Sequence, residues 1–494
     1  QDNLNKYNAK TMRLKEVLNR ISFLRLIIFL LSIAILITLF SFNLITPVFI
    51  VLPVSILCFA FVIKHHNKIA FLSKHTSFLE RINESEIRRE KCNLEEFDTG
   101  EKYIDQRHPY TSDMDIFGQH SIFQLVNRST TESGRILLAE WLSEPAPNSE
   151  IQRRQKAIKE LSGKLEWRQD FQASGMHFQN EKSQYSKLLD WVQKPDILLK
   201  HRRIYIAVAL TLSVLSLLGI YLSIINLVLL NRYIYFLPLF FVLFVNYLVL
   251  RKINPLAEEI VETASENLNT LRSYRTLINK VESEQFKSDK LHELQAILIK
   301  GNYSAYDEIS RLSRILEFSH QRPIKKDALS GNHFYFIINI FLLIDIYMII
   351  GTEKWKSKNR AFLRSWAEAI SEFEVINSFA GFCYSNPAYT FPAITEKNPY
   401  VHFELLGHPL INSNKRVCND FHSEGQGDVV MITGSNMSGK STFLRTVGVN
   451  LALALAGAPC CAKHGQVSNL KLYTSMRTQD NLKEGISSFY AELD

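Results

Sequence analysis

The sequence predicts a mixed fold, a mainly α-helical, membrane-associated and lever-like region followed by an α/β domain. Three observations predict it. Leu26 to Ile63 holds no charged residue. Ile204 to Asn231 and Tyr233 to Leu250 are charge-free again, with Arg232 alone between them. Residues 429 to 442 read Val-Val-Met-Ile-Thr-Gly-Ser-Asn-Met-Ser-Gly-Lys-Ser-Thr, a short apolar run, a glycine-bounded turn and the start of a helical pattern.

Along the chain, residues 1–20 form a basic helical lead-in. The 38 residues from Leu26 to Ile63 are far too long for one helix crossing a ~30 Å hydrocarbon core at ~1.5 Å per residue. Asn43 and Pro47 sit near the middle, so two helices are expected, about 26–42 and 47–63, joined by a tight turn. Residues 64–96 are helical with one charged face, and 98–118 is a loop marked by Gly100, Pro109 and Gly118. Residues 119–195 alternate apolar and polar at helical spacing. A second hairpin follows, roughly 204–224 and 234–250. The competing reading, helices buried in a large soluble domain, meets the rarity of such long charge-free stretches in soluble helices. Long amphipathic helices are expected over 252–318, with Asn254-Pro255 setting the start. His333 to Gly351 is apolar but interrupted by Asp345. A central carboxylate costs a few kcal/mol in lipid, so this stretch is expected to be buried or to skim the membrane. Another helix is expected over 354–385, then strands and loops over 387–428.

The flanks orient the hairpins. Lys6, Lys10, Arg13, Lys15, Arg20 and Arg25 precede the first, and Lys64 and Lys68 follow it. Lys200, Arg202 and Arg203 precede the second, and Arg251 and Lys252 follow it. Basic flanks stay cytoplasmic. The expectation is a multi-pass protein of the inner (cytoplasmic) membrane with its α/β domain in the cytoplasm. The net charge of +8 suits nucleic acid and anionic headgroups equally. The six cysteines (Cys58, Cys92, Cys383, Cys418, Cys460, Cys461) have no zinc spacing and fit a reduced compartment. No cleavable leader is read, since the first apolar run is too long and leads straight into a hairpin.

Gly434-x4-Gly439-Lys440-Ser441 matches the phosphate-binding loop GxxxxGK[ST] in full. Val429 to Thr433 reads as a buried parallel strand and Ser441 to Leu455 as a helix. Backbone N–H groups at such a helix start cradle phosphates. Lys440 would reach the outer phosphates, and Ser441 would help hold Mg²⁺.

Thr433-Gly434-Ser435-Asn436-Met437-Ser438-Gly439-Lys440-Ser441-Thr442-Phe443-Leu444-Arg445 resembles the MutS family of mismatch-repair ATPases. That family usually writes TGPNMGGKSTxxR, so Ser435 and Ser438 replace a Pro and a Gly. His408-Pro409-Leu410-Ile411 and Asn419-Asp420 are similar to its HPLL and ND signatures. Asp480-Asn481-Leu482 and Ser487-Ser488-Phe489-Tyr490-Ala491-Glu492 resemble its DDL and STFMxE segments. Ser121-Ile122-Phe123, Thr131-Glu132-Ser133-Gly134-Arg135, Trp141-Leu142 and Pro145 look like the opening of its central helical domain.

The resemblance implies an ABC/MutS-type α/β domain and a division into 1–112 with the first hairpin (26–63), 113–385 with the second (204–250), and an ATPase domain at 386–494. It implies ATP and Mg²⁺ as cofactors. Gly434, Ser435, Asn436, Met437, Ser438, Gly439, Lys440, Ser441 and Thr442 would form the nucleotide site, with Ser441 on Mg²⁺. Ser487 and Ser488 fall on the signature that reaches the partner subunit's nucleotide, implying a homodimer; helix capping is a compatible role. The position at which many members stack an aromatic residue on adenine falls at Arg416, with Val417 beside it, and an Arg plane also stacks on a base. Only 54 residues follow Lys440, so the catalytic aspartate–glutamate pair is expected beyond Asp494 and this fragment is expected to be inactive alone. Domains that read mismatches are expected to be absent from the first 112 residues. Phe78-Leu79-Glu80 fits the Phe-x-Glu wedge motif in letters only.

Three functions follow: a membrane-anchored MutS-type ATPase acting as a dimeric switch; a tethered DNA mismatch or DNA-structure binder; and a transporter ATPase, which lacks an LSGGQ-type signature. The expected partners are a second copy and membrane lipid. DNA is possible, without mismatch specificity.

Overall fold

The computed structural model describes residues 1–42, 44–177, 185–230, 236–319, 322, 333–396, 399–435 and 438–476. Two compact units emerge, neither continuous in sequence. Unit 1 is Gln1–Arg128, Leu138–His177 and Ile376–Asp494; unit 2 is Ser129–Leu137 and Phe178–Val375.

Unit 1 opens with two long helices, α1 (Asp2–Ser41) and α2 (Ile45–Glu90). Each continues well beyond its apolar stretch into charged sequence. Contacts equidistant from the turn mark an antiparallel hairpin: Phe29 meets Phe59 at 5.9 Å and Ser22 Oγ lies 3.0 Å from His66 Nε2. The apolar side chains point outward, with Phe49 76% and Leu57 69% exposed.

After α2 the chain is tied down by side chains. In α3 (Ile122–Val126) Ser121 and Gln124 form a reciprocal capping box, satisfying two donors at the helix start. The Gln124 amide also donates to the carbonyls of Leu94 and Phe97, pinning the preceding loop. Next come α4 (Glu132–Ser143), α5 (Asn148–Ser162) and α6 (Leu165–Met176). Arg154 from α5 lies 3.4 Å above the Trp141 ring.

Unit 2 contains α7 (Tyr185–Gln193), α8 (Arg202–Leu230), α9 (Phe236–Glu282), α10 (Asp289–Leu298), a small hairpin β1 (Ile299–Lys300) and β2 (Tyr303–Ser304), and α11 (Ala305–Ser319). α12 (His333–Leu342), α13 (Ile344–Asn359) and most of α14 (Leu363–Ser385) complete it. Pro255 does not set a helix start as the sequence suggests. It lies inside α9, because Ile253, Ala257, Ile260 and Val261 continue one buried seam through it and outweigh the lost backbone bond. The stretch 333–351 is not one helix. It bends by 83° at Leu343, whose φ is +49°. Asp345 just beyond is 1% exposed, accepts from Tyr335 Oη at 2.7 Å and pairs with Arg322 Nε at 3.2 Å. The helix expected over 354–385 is also divided, because Asn359 ends α13 in a tight turn closed by Phe362 N–H.

Among the described residues, four helices are long and apolar enough to cross a membrane, Asp2–Ser41, Pro47–Glu90, Leu199–Leu227 and Phe236–Thr263, or five if the bent pair Phe334–Leu342 and Ile344–Asn359 is one span.

Near the opening of unit 2, Glu374 accepts from the N–H and hydroxyl of Thr130 at 2.7 Å each, and from Thr131 N–H and Oγ1. A Cβ at Gly134 would run into the Glu374 carboxylate. The Thr131–Arg135 segment is thus a carboxylate clamp that needs glycine at its fourth position.

The C-terminal part of unit 1 holds β3 (Ala393–Thr395), β4 (Tyr400–Leu406), β5 (Asn419–Glu424), α15 (Lys440–Ala456) and β6 (His464–Ser468). The sheet order is β3-β6-β4-β5. Only β3–β6 is parallel; β4 runs antiparallel to both neighbours. The described sheet is therefore mainly antiparallel, where the reading of Val429–Thr433 as a buried parallel strand implies parallel pairing: β4 and β5 are joined by a twelve-residue excursion that returns the chain without a helical crossover, and so pair antiparallel. Val429 to Thr433 is not a strand either. Val429 and Met431 are each 82% exposed, and among the described residues no strand lies beside them to complete a ladder.

Candidate phosphate-binding site

α15 organises the site. Its first residue is Lys440, preceded by Gly439 at φ +91°. That left-handed turn strains any residue with a Cβ and admits glycine freely. It swings the loop away and leaves the first N–H groups of α15 without intrahelical acceptors. These groups and the helix dipole favour an anion at this end.

Lys440 folds over its own loop, with Nζ 2.6 Å from Gly434 O and 2.8 Å from Ser435 O. Ser438 N–H donates to Ser435 O at 3.3 Å. A Cβ at Gly434 would stand 2.7 Å from Ser438 Oγ, so glycine is what lets the two sides of the loop approach. An ammonium, free helix N–H groups and a cradle that a side chain would fill make a set that fits polyphosphate. Ser441 and Thr442 follow in the first turn. Asn436 and Met437 lie outside the described residues, as do Ser487 and Ser488.

The far end of α15 is anchored deeply. Residues Thr446 to Ala456 are all buried. Asn450, fully buried, donates from Nδ2 to Gly407 O at 3.0 Å and accepts at Oδ1 from Cys461 N–H at 2.7 Å. It thereby ties the helix to the turn after β4 and to the approach to β6. Arg445 Nη1 pairs with Asp115 Oδ2 at 3.2 Å, and Met114 fills the space beside Gly448. Gly457 closes the helix at φ +89°.

The other sequence-derived positions are placed as follows. His408 lies in the turn after β4. Burial pushes its imidazole down to about 4, although Asp115 pulls the other way, so it is neutral at pH 7. Its Nδ1 accepts from Leu410 N–H at 3.3 Å. Asn419 opens β5, and Asp420 accepts from Leu405 N–H at 2.8 Å, supporting Leu405 at φ +50°. The Asn-Asp pair thus holds the β4–β5 pairing. Arg416 donates from Nε and Nη2 to Ile411 O at 3.0 and 2.7 Å and lies 5.6 Å over the Tyr389 ring. Val417 is 78% exposed. No described contact joins either to the loop. Phe78 sits in α2, edge-on to His177 at 5.0 Å, a packing role.

Sequence reasoning missed Asn450, the Arg445–Asp115 pair and Asp113. The last accepts at Oδ2 from Thr474 Oγ1 at 2.9 Å and Met476 N–H at 3.0 Å, which tethers the segment leading to residue 477. A buried Asn amid an apolar helix was the one signal available. Among the described residues no group of three or more His, Cys, Asp or Glu side chains could hold a metal ion.

Residues 430–494 match the family model described as MutS domain V. The protein named DNA mismatch repair protein MutS of Chlorobium phaeovibrioides is 31% identical over 144 residues, which are 28% of this chain and 16% of that protein. The protein of the same name from Shouchella clausii is 32% identical over 138 residues, 27% of this chain and 16% of its own length. DNA mismatch repair protein MSH4 of Arabidopsis thaliana is 31% identical over 124 residues, 24% of this chain and 16% of its length. The matched part of the chain thus spans about a sixth of the relatives' length.

Proposed function

Since its C-terminal part places the chain in the MutS family, we propose that the protein is a membrane-anchored MutS-type ATPase. It works as a dimeric switch at the cytoplasmic membrane face. The observation that carries this reading is the Gly434–Ser441 loop at the start of α15 in a chain whose described residues include four helices long and apolar enough to cross a membrane.

ATP, with Mg²⁺, supplies a phosphoanhydride whose hydrolysis would drive the switch. Gly439 shapes the turn, the first N–H groups of α15 receive phosphate oxygens, and Lys440 exchanges its two carbonyl acceptors for a phosphate. Ser441 is positioned in the first turn to offer its hydroxyl to Mg²⁺. Ser487 and Ser488 are assigned to the partner's nucleotide, and Arg416 with Val417 to the adenine side. The test is Mg²⁺-dependent ATP hydrolysis by the full-length protein in a bilayer. Hydrolysis is expected to rise with protein density as dimers form, and absence of any turnover would defeat the reading.

The second reading is a tethered mismatch binder, favoured by the relatives named as DNA mismatch repair proteins. Specific and non-specific duplex binding typically differ by ~4–10 kcal/mol. A mismatch preference that survives physiological salt would establish that reading over the first.

A further inference from the structure

We propose that α12 enters the bilayer without crossing it, as a half-helix seated beside α8 and α9 in the cytoplasmic leaflet, with Phe334, Phe336 and Ile337 turned to the lipid acyl chains. This rests on the membrane-anchored reading and gives a lipid-facing role to a segment outside the two hairpins. α12 packs against both α8 and α9, and its faces are inverted relative to a helix in water. Tyr335, Asn339 and Leu343 follow one another at helical spacing and are all buried, whereas Phe334 is 68% and Phe336 55% exposed. The polar side chains are thus on the inward face. The helices beneath show the same inversion: Ser216 of α8 and Asn246 of α9 are fully buried, while Leu217 and Phe241 are exposed. Where lipid surrounds a bundle, apolar side chains lie outside and polar ones join helix to helix.

Asn246 makes the join. Its Nδ2 donates to Ser216 Oγ at 2.9 Å and to Ile340 O at 2.8 Å, so one amide links α8, α9 and α12. The 83° bend leaves the last carbonyls of α12 and the first N–H groups of α13 without helical partners. Side chains take two of these groups: Asn246 serves Ile340 O, and Asn339 Oδ1 accepts Asp345 N–H at 3.0 Å. A helix broken at membrane depth needs its released backbone groups met by protein in this way.

The residues on either side of α12 meet at one boundary. Arg322 precedes α12, Asp345 follows it, and the two pair at 3.2 Å. Arg322 Nη2 also donates to Asn254 Oδ1 at 2.6 Å, just past Arg251 and Lys252 at the basic end of the apolar run in α9. Farther along α13, Glu353 accepts the N–H groups of Ile197 and Leu198 at 2.9 Å each, just before the basic residues that open α8. The two ends of a crossing stand ~30 Å apart. Here α13 is held at the basic boundary at both points, so the bent pair is not a fifth span and only α12 enters. Asn246 sets the depth. It lies five residues before Arg251, which at ~1.5 Å per residue is about 7 Å inside the boundary. A helix lying in the interfacial layer reaches ~5–10 Å.

The experiment uses the full-length protein in phospholipid vesicles, in a background that keeps the buried Cys460 and Cys461 and replaces the other cysteines. Phe336→Cys carries a fluorophore, with Phe241→Cys in α9 as the deep reference and Lys300→Cys in β1 as the aqueous one. The quenchers are lipids bearing a nitroxide near the headgroup or near the chain end. At 336 the shallow nitroxide should quench about twofold or more better than the deep one, as a depth of ~5–10 Å requires. At 241 the order should reverse, and 300 should be untouched by either. Quenching at 241 but not at 336 overturns the proposal and leaves the anchored reading standing. Quenching at neither overturns both. A deep profile at 336 matching that at 241 makes the bent pair a crossing span and also overturns the proposal. Ile337→Cys, on the same exposed face, decides if Phe336→Cys does not fold.

Discussion

Asn450 Oδ1 accepts the backbone N–H of Cys461 at 2.7 Å, and this bond couples the helix that carries the phosphate loop to the sheet behind it. With Nδ2 on Gly407 O, one buried amide satisfies two backbone groups from separate segments. Asn450→Leu leaves both unsatisfied, at about 1–3 kcal/mol each. The expected outcome is a fall in thermal midpoint larger than that of Asn450→Asp. The variant's loop should also lose affinity for phosphate, since α15 loses its registration.

Gly134→Ala should be similarly costly. The new Cβ enters the space of the Glu374 carboxylate, which already accepts four donors from Thr130 and Thr131. Displacing a buried, hydrogen-bonded carboxylate costs about 3–5 kcal/mol. A thermal melt of the variant checks it. Gly163→Ala, where a Cβ meets only Glu160 O at 3.6 Å, serves as the neutral control.

Stability should fall on mild acidification. Burial, ahead of any charge, holds His177 and His408 each down to about 4, while an unfolded histidine titrates near 6.5. Between pH ~6.5 and ~4 the unfolded chain therefore binds protons that the native chain refuses, and stability declines as pH falls through that window. Glu86 acts lower: burial would raise its pKa, but Arg128 and Arg89 outweigh burial and bring it to about 2. Its contribution is full above ~4.5 and lost as pH falls toward 2. Thermal midpoints from pH 8 to 4 test the histidine window, and His408→Gln should flatten it.

Topology is tested by cysteine labelling in a background without native cysteines. Leu44→Cys, at the α1–α2 turn, should react with a membrane-impermeant reagent from outside the cell. Asn67→Cys, past the first hairpin, should react only after permeabilisation. Equal labelling of both sites in intact cells would refute the hairpin.

Much of this was legible in the sequence where a single local rule governs. Charge-free runs located the α1–α2 turn to within a few residues, but not the outer ends of the helices: α1 begins at Asp2, α2 runs to Glu90 and α9 to Glu282, because charged amphipathic sequence continues each one. The loop motif located the start of α15 to one residue, since Gly439 alone can take the turn. What was not legible depended on distant partners. Pro255 reads as a helix start until the buried seam beside it is known. Val429–Thr433 reads as a strand, yet a ladder needs neighbours that the described residues do not supply. Asp345 was legible as an anomaly, but its pairing with Arg322 and Tyr335 and the bend at Leu343 follow only from tertiary contact.

The central claim is that Gly434–Ser441 holds a nucleotide, and the most direct measurement is equilibrium ATP binding by the full-length protein with and without Mg²⁺, compared with Lys440→Ala. Losing a charge-assisted contact to phosphate, worth about 1.5–3 kcal/mol, should weaken binding roughly 10- to 150-fold. Ser441→Ala should weaken it chiefly when Mg²⁺ is present. An ATP affinity unchanged by Lys440→Ala would contradict the account.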